Sequence, residues 1–404
     1  MTRPPKSFAR SVAVLALMAG FMGTLSAASE PETTAVGLRS SWLPPPAPSP
    51  AQKQIEAARS ALALRPDDVR RLNSLAVGLT RRARETGDPA YYDEAWKALQ
   101  DASHRDPGNL ETLRISAWVS MGRHEFAKAH KIAKRYERRT AGDPWNLGVL
   151  GDASMELGLY REAERAYQRM VDAKPGPAAY SRVAYVREAR GDAEGARQIM
   201  QMALAATDSR ECEDRAWLLV QIAHLQDLLG QPEEAVRCYE DALETFPKYH
   251  YALAGLSELK LRLGRVAEAA SLARQAIEAA PHAERFLLLA DVLRSLGEIE
   301  EANRAESTFE RLALDNADKA DNENHDLVLY YLERRPDPRR ALALAKREAG
   351  RRKDLHTLDR LAVALHACGK HRQARRLMRE VLRIGTRDPL IARHAQSMGV
   401  STLR

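Results

Sequence analysis

The residues able to do chemistry form no familiar catalytic pattern in this chain. It carries eleven His and three Cys among 404 residues. Zinc-binding histidines on one helical face stand four apart with a Glu between them. Here His366 and His371 stand five apart, and His124 and His130 six. There is no His-Glu-x-x-His, no glycine-rich phosphate loop, no nucleophile elbow and no paired-cysteine zinc spacing. Cys212 and Cys238 belong near the start of one helix and in the first half of the next, antiparallel one. That places them roughly 10 Å or more apart at about 1.5 Å per residue. A disulfide needs Cα atoms within about 7 Å. With Cys368 they are expected to be free, partly buried thiols. Acids such as Glu162 and Glu234 precede Ala163 and Ala235 in first helical turns, where they complement the helix dipole. The expectation is no enzyme, no catalytic residue, no cofactor and no metal.

What the sequence does contain is a beat. Residues 158–175 read GLYREAERAYQRMVDAKP, 230–247 GQPEEAVRCYEDALETFP and 264–281 GRVAEAASLARQAIEAAP. In each, Ala follows Gly by five residues and Pro follows it by seventeen. Gly158, Gly191, Gly230, Gly264 and Gly297 are spaced 33, 39, 34 and 33. A fixed period of this length signals stacked supersecondary units, none of which can bury its apolar face alone.

The pattern resembles the tetratricopeptide repeat, a 34-residue helix–turn–helix unit. Residues 144–177 match it best, with Leu150-Gly151 inside the first helix, Gly158 at its end, then Tyr160, Ala163, Tyr167 and Pro175. Residues 216–249 keep Ala235, Tyr239, Ala242 and Pro247; residues 250–283 keep Ala269, Ala276 and Pro281. Weaker copies pair Gly122 with Ala127, Gly191 with Ala196, Gly297 with Ala302 and Gly369 with Ala374. Ala95 and Pro107 mark an earlier one, Ala61 to Pro66 a half copy, and Ala341 a degenerate one near 322–355. The resemblance implies an all-α fold: a right-handed superhelical α-solenoid of about nine repeats, over residues 53–390. Residues 391–404 read as a tail and the end of the cap.

Two segments precede the array. Arg3, Lys6 and Arg10 lead an apolar stretch from Val12 to Leu25, followed by Ser26-Ala27-Ala28. This is the layout of a secretory signal peptide over residues 1–28, with an uncleaved anchor as the alternative. No Cys lies near the junction, so a lipoprotein is not expected. Residues 29–52, with Leu43-Pro44-Pro45-Pro46-Ala47-Pro48-Ser49-Pro50, read as a Pro-rich disordered linker or spacer, or as a docking peptide anchored by Trp42. The mature protein is expected in the periplasm or outside the cell, with no transmembrane segment once the signal is removed.

Composition suits such a solenoid, at 45% hydrophobic, 29% charged and only 6% aromatic residues. Charge is unevenly placed. From Arg334 to Arg404, 19 Lys and Arg stand against 6 Asp and Glu, while residues 29–333 carry a net −9. Arg351, Arg352, Lys353, Arg372, Arg375, Arg376 and Arg379 read as a basic cap, either a solvated array end or an anion-binding face. Nucleic acid is not an expected partner, because no aromatics interleave the cap to stack bases.

The family resemblance also implies a concave groove lined by the first helix of each pair. Mapped here, that face comprises Trp145, Asp152, Arg182, Tyr185, Glu188, Trp217, Gln221, His224, Asp227, Tyr251, Glu258 and Arg262, with Asp291 and Arg294 beyond. Trp145, Trp217 and Tyr251 share one repeat position, as partner anchors or as the repeat's own packing. The carboxylate clamp of chaperone-binding relatives is absent, since its positions hold Asp152, Tyr185, His224, Glu258 and Asp291. The chain also resembles long exported bacterial tetratricopeptide proteins. The expected function is an exported scaffold binding a protein or peptide in its groove. The alternative is an envelope scaffold binding an anionic polymer or membrane surface through the basic repeats.

Overall fold

A computed structural model describes residues 49–401. The signal-peptide reading and nearly all of the linker reading lie outside the described residues. Within them the chain is all helix and turn. An unpaired helix, α1 (Pro50–Leu64), precedes nine hairpins. These are α2–α3 (Val69–Thr86, Ala90–Arg105), α4–α5 (Leu110–Gly122, Phe126–Arg139), α6–α7 (Pro144–Glu156, Tyr160–Ala173), α8–α9 (Pro177–Ala189, Ala193–Ala205) and α10–α11 (Cys212–Leu228, Pro232–Thr245). Then come α12–α13 (His250–Arg262, Val266–Ala279), α14–α15 (Ala283–Leu296, Ile299–Asp315), α16–α17 (Glu323–Glu333, Pro338–Ala349) and α18–α19 (Leu355–Ala367, His371–Leu382), followed by α20 (Pro389–Ser397).

The helices begin and end where local chemistry requires. Ser49 caps α1, its hydroxyl accepting from the Gln52 amide at 3.1 Å, with Pro50 in the first turn. The array therefore starts inside the stretch that composition reads as linker. Asp388 caps α20, accepting from the Leu390 and Ile391 amides at 2.8 and 2.9 Å. Ile391 and Ala395 are buried, so part of the expected tail is a packed helix.

Inside eight of the nine hairpins the first helix ends at a residue in left-handed backbone, the exception being α16–α17, where Arg334 has φ −107°. At Gly158 (φ 71°) the amide donates to the Met155 carbonyl, and the next amide, of Leu159, donates back to Ser154. These two bonds satisfy carbonyls that the helix end leaves open. Five residues on, Ala163, Ala196, Ala235, Ala269, Ala302 and Ala374 are fully buried where the two helices touch.

One repeat is phased differently from the sequence reading. The turn residue of α4–α5 is His124 (φ 57°), with Gly122 still in α4. The buried small residue is Ala129, and Ala127 is exposed. Gly122 is required for another reason. A methyl group there would lie 2.2 Å from the Tyr92 ring.

The array winds back onto itself in a strict register. The α2–α3 turn at Gly87 lies against Ala280 and His282 in the α13–α14 link. The α4–α5 turn reaches the α15–α16 link, where His124 Nδ1 meets the Ala320 carbonyl at 2.7 Å and Asp321 at 3.2 Å. The α6–α7 turn meets the α17–α18 link, where the Lys353 amide donates to the Glu156 carbonyl at 2.8 Å. The α8–α9 turn at Gly191 meets the α19–α20 link at Gly385 and Arg387. Each step advances both partners by one hairpin. At the next turn, Gly230, an added methyl group would have nothing within 4 Å.

Candidate functional site

Closure of the coil encloses a cavity of about 790 Å³. Its walls come from both coils: the turns around Gly87 and His124, Tyr185 of α8, Tyr251 and Glu258 of α12, the start of α14, and the links around residues 316–326 and 350–356. Aromatic faces alternate with charges of both signs.

Two buried arginines brace this cavity. Arg84, at the end of α2, reaches Glu213 at 2.7 Å and Asp214 at 3.0 Å on the first turn of α10. Burial and the neighbouring Asp214 push Glu213 up to about 7, against the pull of Arg84. Arg352 follows α17 and is 2% exposed. It donates to Glu348 at 2.7 Å, Glu156 at 3.2 Å and Asn322 at 2.8 Å, and to His325 Nε2 at 3.0 Å. His325 must accept there, and burial beside Arg352 pushes its pKa well below the ordinary value. Burial also raises Glu156 to about 7, although Arg352 opposes the shift. Burial alone would lower His124, but the hydrogen bond and charge of Asp321 override it, and its pKa is raised.

A cation-type corner sits on the same wall. Ligand atoms of His282, Glu284 and Glu323 lie within 4.8 Å of one another. Such a mixed nitrogen and oxygen set suits a divalent ion. Glu323 is already engaged, accepting from the Ala283 amide at 3.0 Å, and burial beside Asp321 and Glu284 raises it to about 8. Sequence reasoning missed the corner because its members come from segments some forty residues apart.

Most of the expected groove residues are used inside the array. Asp152 and Arg182 are buried and joined by two bonds, at 2.9 and 2.6 Å, and Asp152 also accepts from the Tyr167 hydroxyl. Glu188 pairs with His224 at 2.8 Å, Asp227 with Arg262, and Asp291 with Arg334 at 2.5 Å. Each pair links the first helices of consecutive hairpins. Helices packed about 8–10 Å apart bring opposite charges at equivalent positions into reach. Arg294 turns to Glu306 instead, at 2.7 Å. Gln221 and Trp217 are buried. Trp217 lies mid-helix because α10 has 17 residues where α6 and α12 have 13, and the end of α2 covers its added turn. Trp145 is half-buried, edge-on to Trp118 at 5.5 Å and covered by Arg114. The groove reading is thus corrected for Asp152, Arg182, Trp217 and Gln221. Of its twelve residues, Tyr185, Tyr251 and Glu258 line the cavity.

The basic cap divides likewise. Arg352 is a buried strut, and Arg351 donates to the Ala317 and Lys319 carbonyls at 3.1 and 2.7 Å, closing the end of α15. Lys353 and the α19 arginines Arg372, Arg375, Arg376 and Arg379 are exposed. Cys212 is exposed, Cys238 and Cys368 half-buried, and all three are free thiols. Among the described residues no helix is long and apolar enough to cross a membrane.

Two family models, each described as tetratricopeptide repeat, match the chain, one over residues 177–248 and one over 221–284 and 259–320. The chain is a tetratricopeptide repeat protein. No curated protein matches it. Among solved structures it is similar to Cut9 in the APC/C hetero-tetramer Cut9–Hcn1, at 16% identity and a TM-score of 0.51, over 77% of this chain and 58% of that one. It is also similar to PilW, a widely conserved type IV pilus biogenesis factor, at 14% identity and 0.44, over 50% of this chain and 92% of PilW. Yeast Tom70 matches at 13% identity and 0.45, over 86% of this chain and 85% of that one. The likeness to Cut9 speaks for the solenoid fold alone, and the tetratricopeptide repeats point to a protein-interaction scaffold.

Proposed function

We propose that this protein is an exported scaffold that holds a segment of a partner protein inside its closed coil. The observation that carries the reading is the cavity of about 790 Å³ bounded by both coils. Sites of about 300–1,000 Å³ take short segments or small ligands. Tyr92, Tyr185 and Tyr251 offer aromatic anchors, and the flanking charges of both signs suit a zwitterionic peptide. The walls are fixed by interturn contacts before a partner arrives, so little ordering entropy is lost on binding. Export rests on Arg3, Lys6 and Arg10, the apolar stretch to Leu25 and the small residues before Ser29.

A photo-crosslinking amino acid at Tyr185 or Ala254, both on the cavity wall, tests the site in cells. It should give a partner adduct that the filling substitution Ala254→Trp abolishes from position 185. The same probe at Arg197 or Arg237, on outer helices, should give none. Adducts from the outer positions alone would end the cavity reading. N-terminal sequencing of the exported protein should begin near Ser29; Met1 or Thr2 there would indicate an anchor.

A further inference from the structure

The exposed arginines of α19 share one face of the helix. Several arginines elsewhere are paired with acids: Arg59 with Glu94, Arg169 with Glu137, Arg197 with Glu194, Arg237 with Glu234 and Arg265 with Glu268; Arg135, Arg138, Arg161, Arg165 and Arg339 are exposed and spread over three other helices. Arg372, Arg375, Arg376, Arg379 and Arg383 are exposed and make no ion pair or hydrogen bond. Their spacing is i, i+3, i+4, i+7 and i+11. At 3.6 residues per turn they fall within an arc of about 100° and form one stripe about 16 Å long. The opposite face buries Ala374, Met378, Val381 and Leu382. The one acid on the helix is Glu380. Like charges three and four apart destabilise a helix, so this stripe is retained against its own repulsion.

We infer that the α19 stripe is a docking face for an anionic phospholipid bilayer surface. Three observations select that partner. α19 is the outer helix of the last hairpin and lends no side chain to the cavity, so its arginines form a ridge that a plane can meet along its whole length. A linear polyanion would be gripped better by a groove with charge on two sides. Among the described residues, every exposed large apolar side chain lies at or before Ile299, so contact is electrostatic and superficial, without insertion. Nothing aromatic flanks the stripe to stack bases. The inference stands independently of the cavity.

Flotation of the full chain with vesicles tests it. Vesicles of 30% phosphatidylglycerol in phosphatidylcholine should carry the protein at low salt and release it as salt rises. Pure phosphatidylcholine should not, which separates the stripe from the apolar stretch near Val12. Each basic residue near an anionic surface contributes about fivefold. Arg375→Gln, Arg376→Gln and Arg379→Gln together should lower the partition coefficient roughly a hundredfold. The matched set Arg197→Gln, Arg237→Gln and Arg265→Gln should leave it unchanged. Circular dichroism confirms folding of both. The inference is overturned if the α19 variant floats like the parent, if neutral vesicles carry the protein equally, or if no vesicle does. Arginine-dependent binding to soluble polyglutamate without vesicle binding would assign the face to an acidic polymer instead.

Discussion

Replacing Gly158 by Ala should open the coil, and the same change at Gly264 should not. Both glycines occupy the same turn, with φ 71° and 77°. An L-residue in left-handed backbone costs about 1–2 kcal/mol, and stiffening of the unfolded chain offsets about 0.4–1 kcal/mol of it. Gly264 has nothing within 4 Å of the added methyl, so Gly264→Ala should lose about 1 kcal/mol and no more. At Gly158 the methyl would lie 2.6 Å from the Lys353 carbonyl oxygen, a backbone atom of the opposite coil. That link must retreat. Retreat strains the bond from the Lys353 amide to Glu156, a contact type worth about 1 kcal/mol net, and the Arg352–Glu156 pair at 3.2 Å. The total should reach about 2–3 kcal/mol, concentrated at the interturn seam. Hydrogen exchange should speed up at residues 350–356 and 120–128 in Gly158→Ala only, and its radius of gyration from small-angle scattering should rise. Equal exchange and equal size in the two variants would refute the closed register.

His124→Asn keeps a side chain tolerated in left-handed backbone but removes the charge. Because the folded pKa of His124 is raised, its contribution is fully present below about pH 6.5 and is lost as pH rises through the folded value. Urea unfolding should therefore show a larger deficit for the variant at pH 5.5 than at pH 8.5; a deficit independent of pH would contradict the His124–Asp321 pair. Arg182→Ala strands Asp152 in the interior and should cost about 3–5 kcal/mol. Asp152→Leu with Arg182→Met and Tyr167→Phe removes every partner together and should recover most of that loss, as read from urea midpoints. Ala235→Arg forces a long charged chain between α10 and α11, where Ala235 is 0% exposed. Overpacking alone costs about 1–3 kcal/mol. The array should then melt in separate steps, and one unchanged transition would contradict the assigned phase.

The repeat architecture was legible because its signals are local. A turn glycine, a small residue five positions on and a helix-ending proline are consequences of one hairpin's own geometry, and Ala163, Ala235 and Ala269 sit where that geometry needs them. Phase failed at the second hairpin because Gly122 resembled the turn residue. Counting back 34 residues from Gly158 lands on His124, which would have found it. The site was far less legible. Which first-helix residues face a partner depends on how tightly the superhelix winds, and winding is the sum of small rotations at every hairpin. No single repeat encodes it. A residue such as Arg182 reads as a groove cation until its neighbour in the preceding hairpin, Asp152, is brought within 2.6 Å.

Closure changes what the turns are for. In an open solenoid the turn between two helices faces solvent and only has to reverse the chain. Here four successive turns also form a seam, which explains why their residues differ in kind. Gly158 and Gly191 admit the opposite backbone and Gly87 the side chains of Ala280 and His282, whereas His124 inserts a ring that hydrogen-bonds across. The buried charges follow from the same seam. Arg84 and Arg352 each cross from one coil to the other and meet acids that burial has pushed up to about 7. Apolar contacts would have joined the coils more stably, since buried ion pairs are poor stabilisers. Ion pairs instead fix register, because a shift by one hairpin would leave each arginine buried without its acid. The cavity exists only in that register. Its shape is therefore held by Arg84 and Arg352 rather than by the residues that line it most visibly.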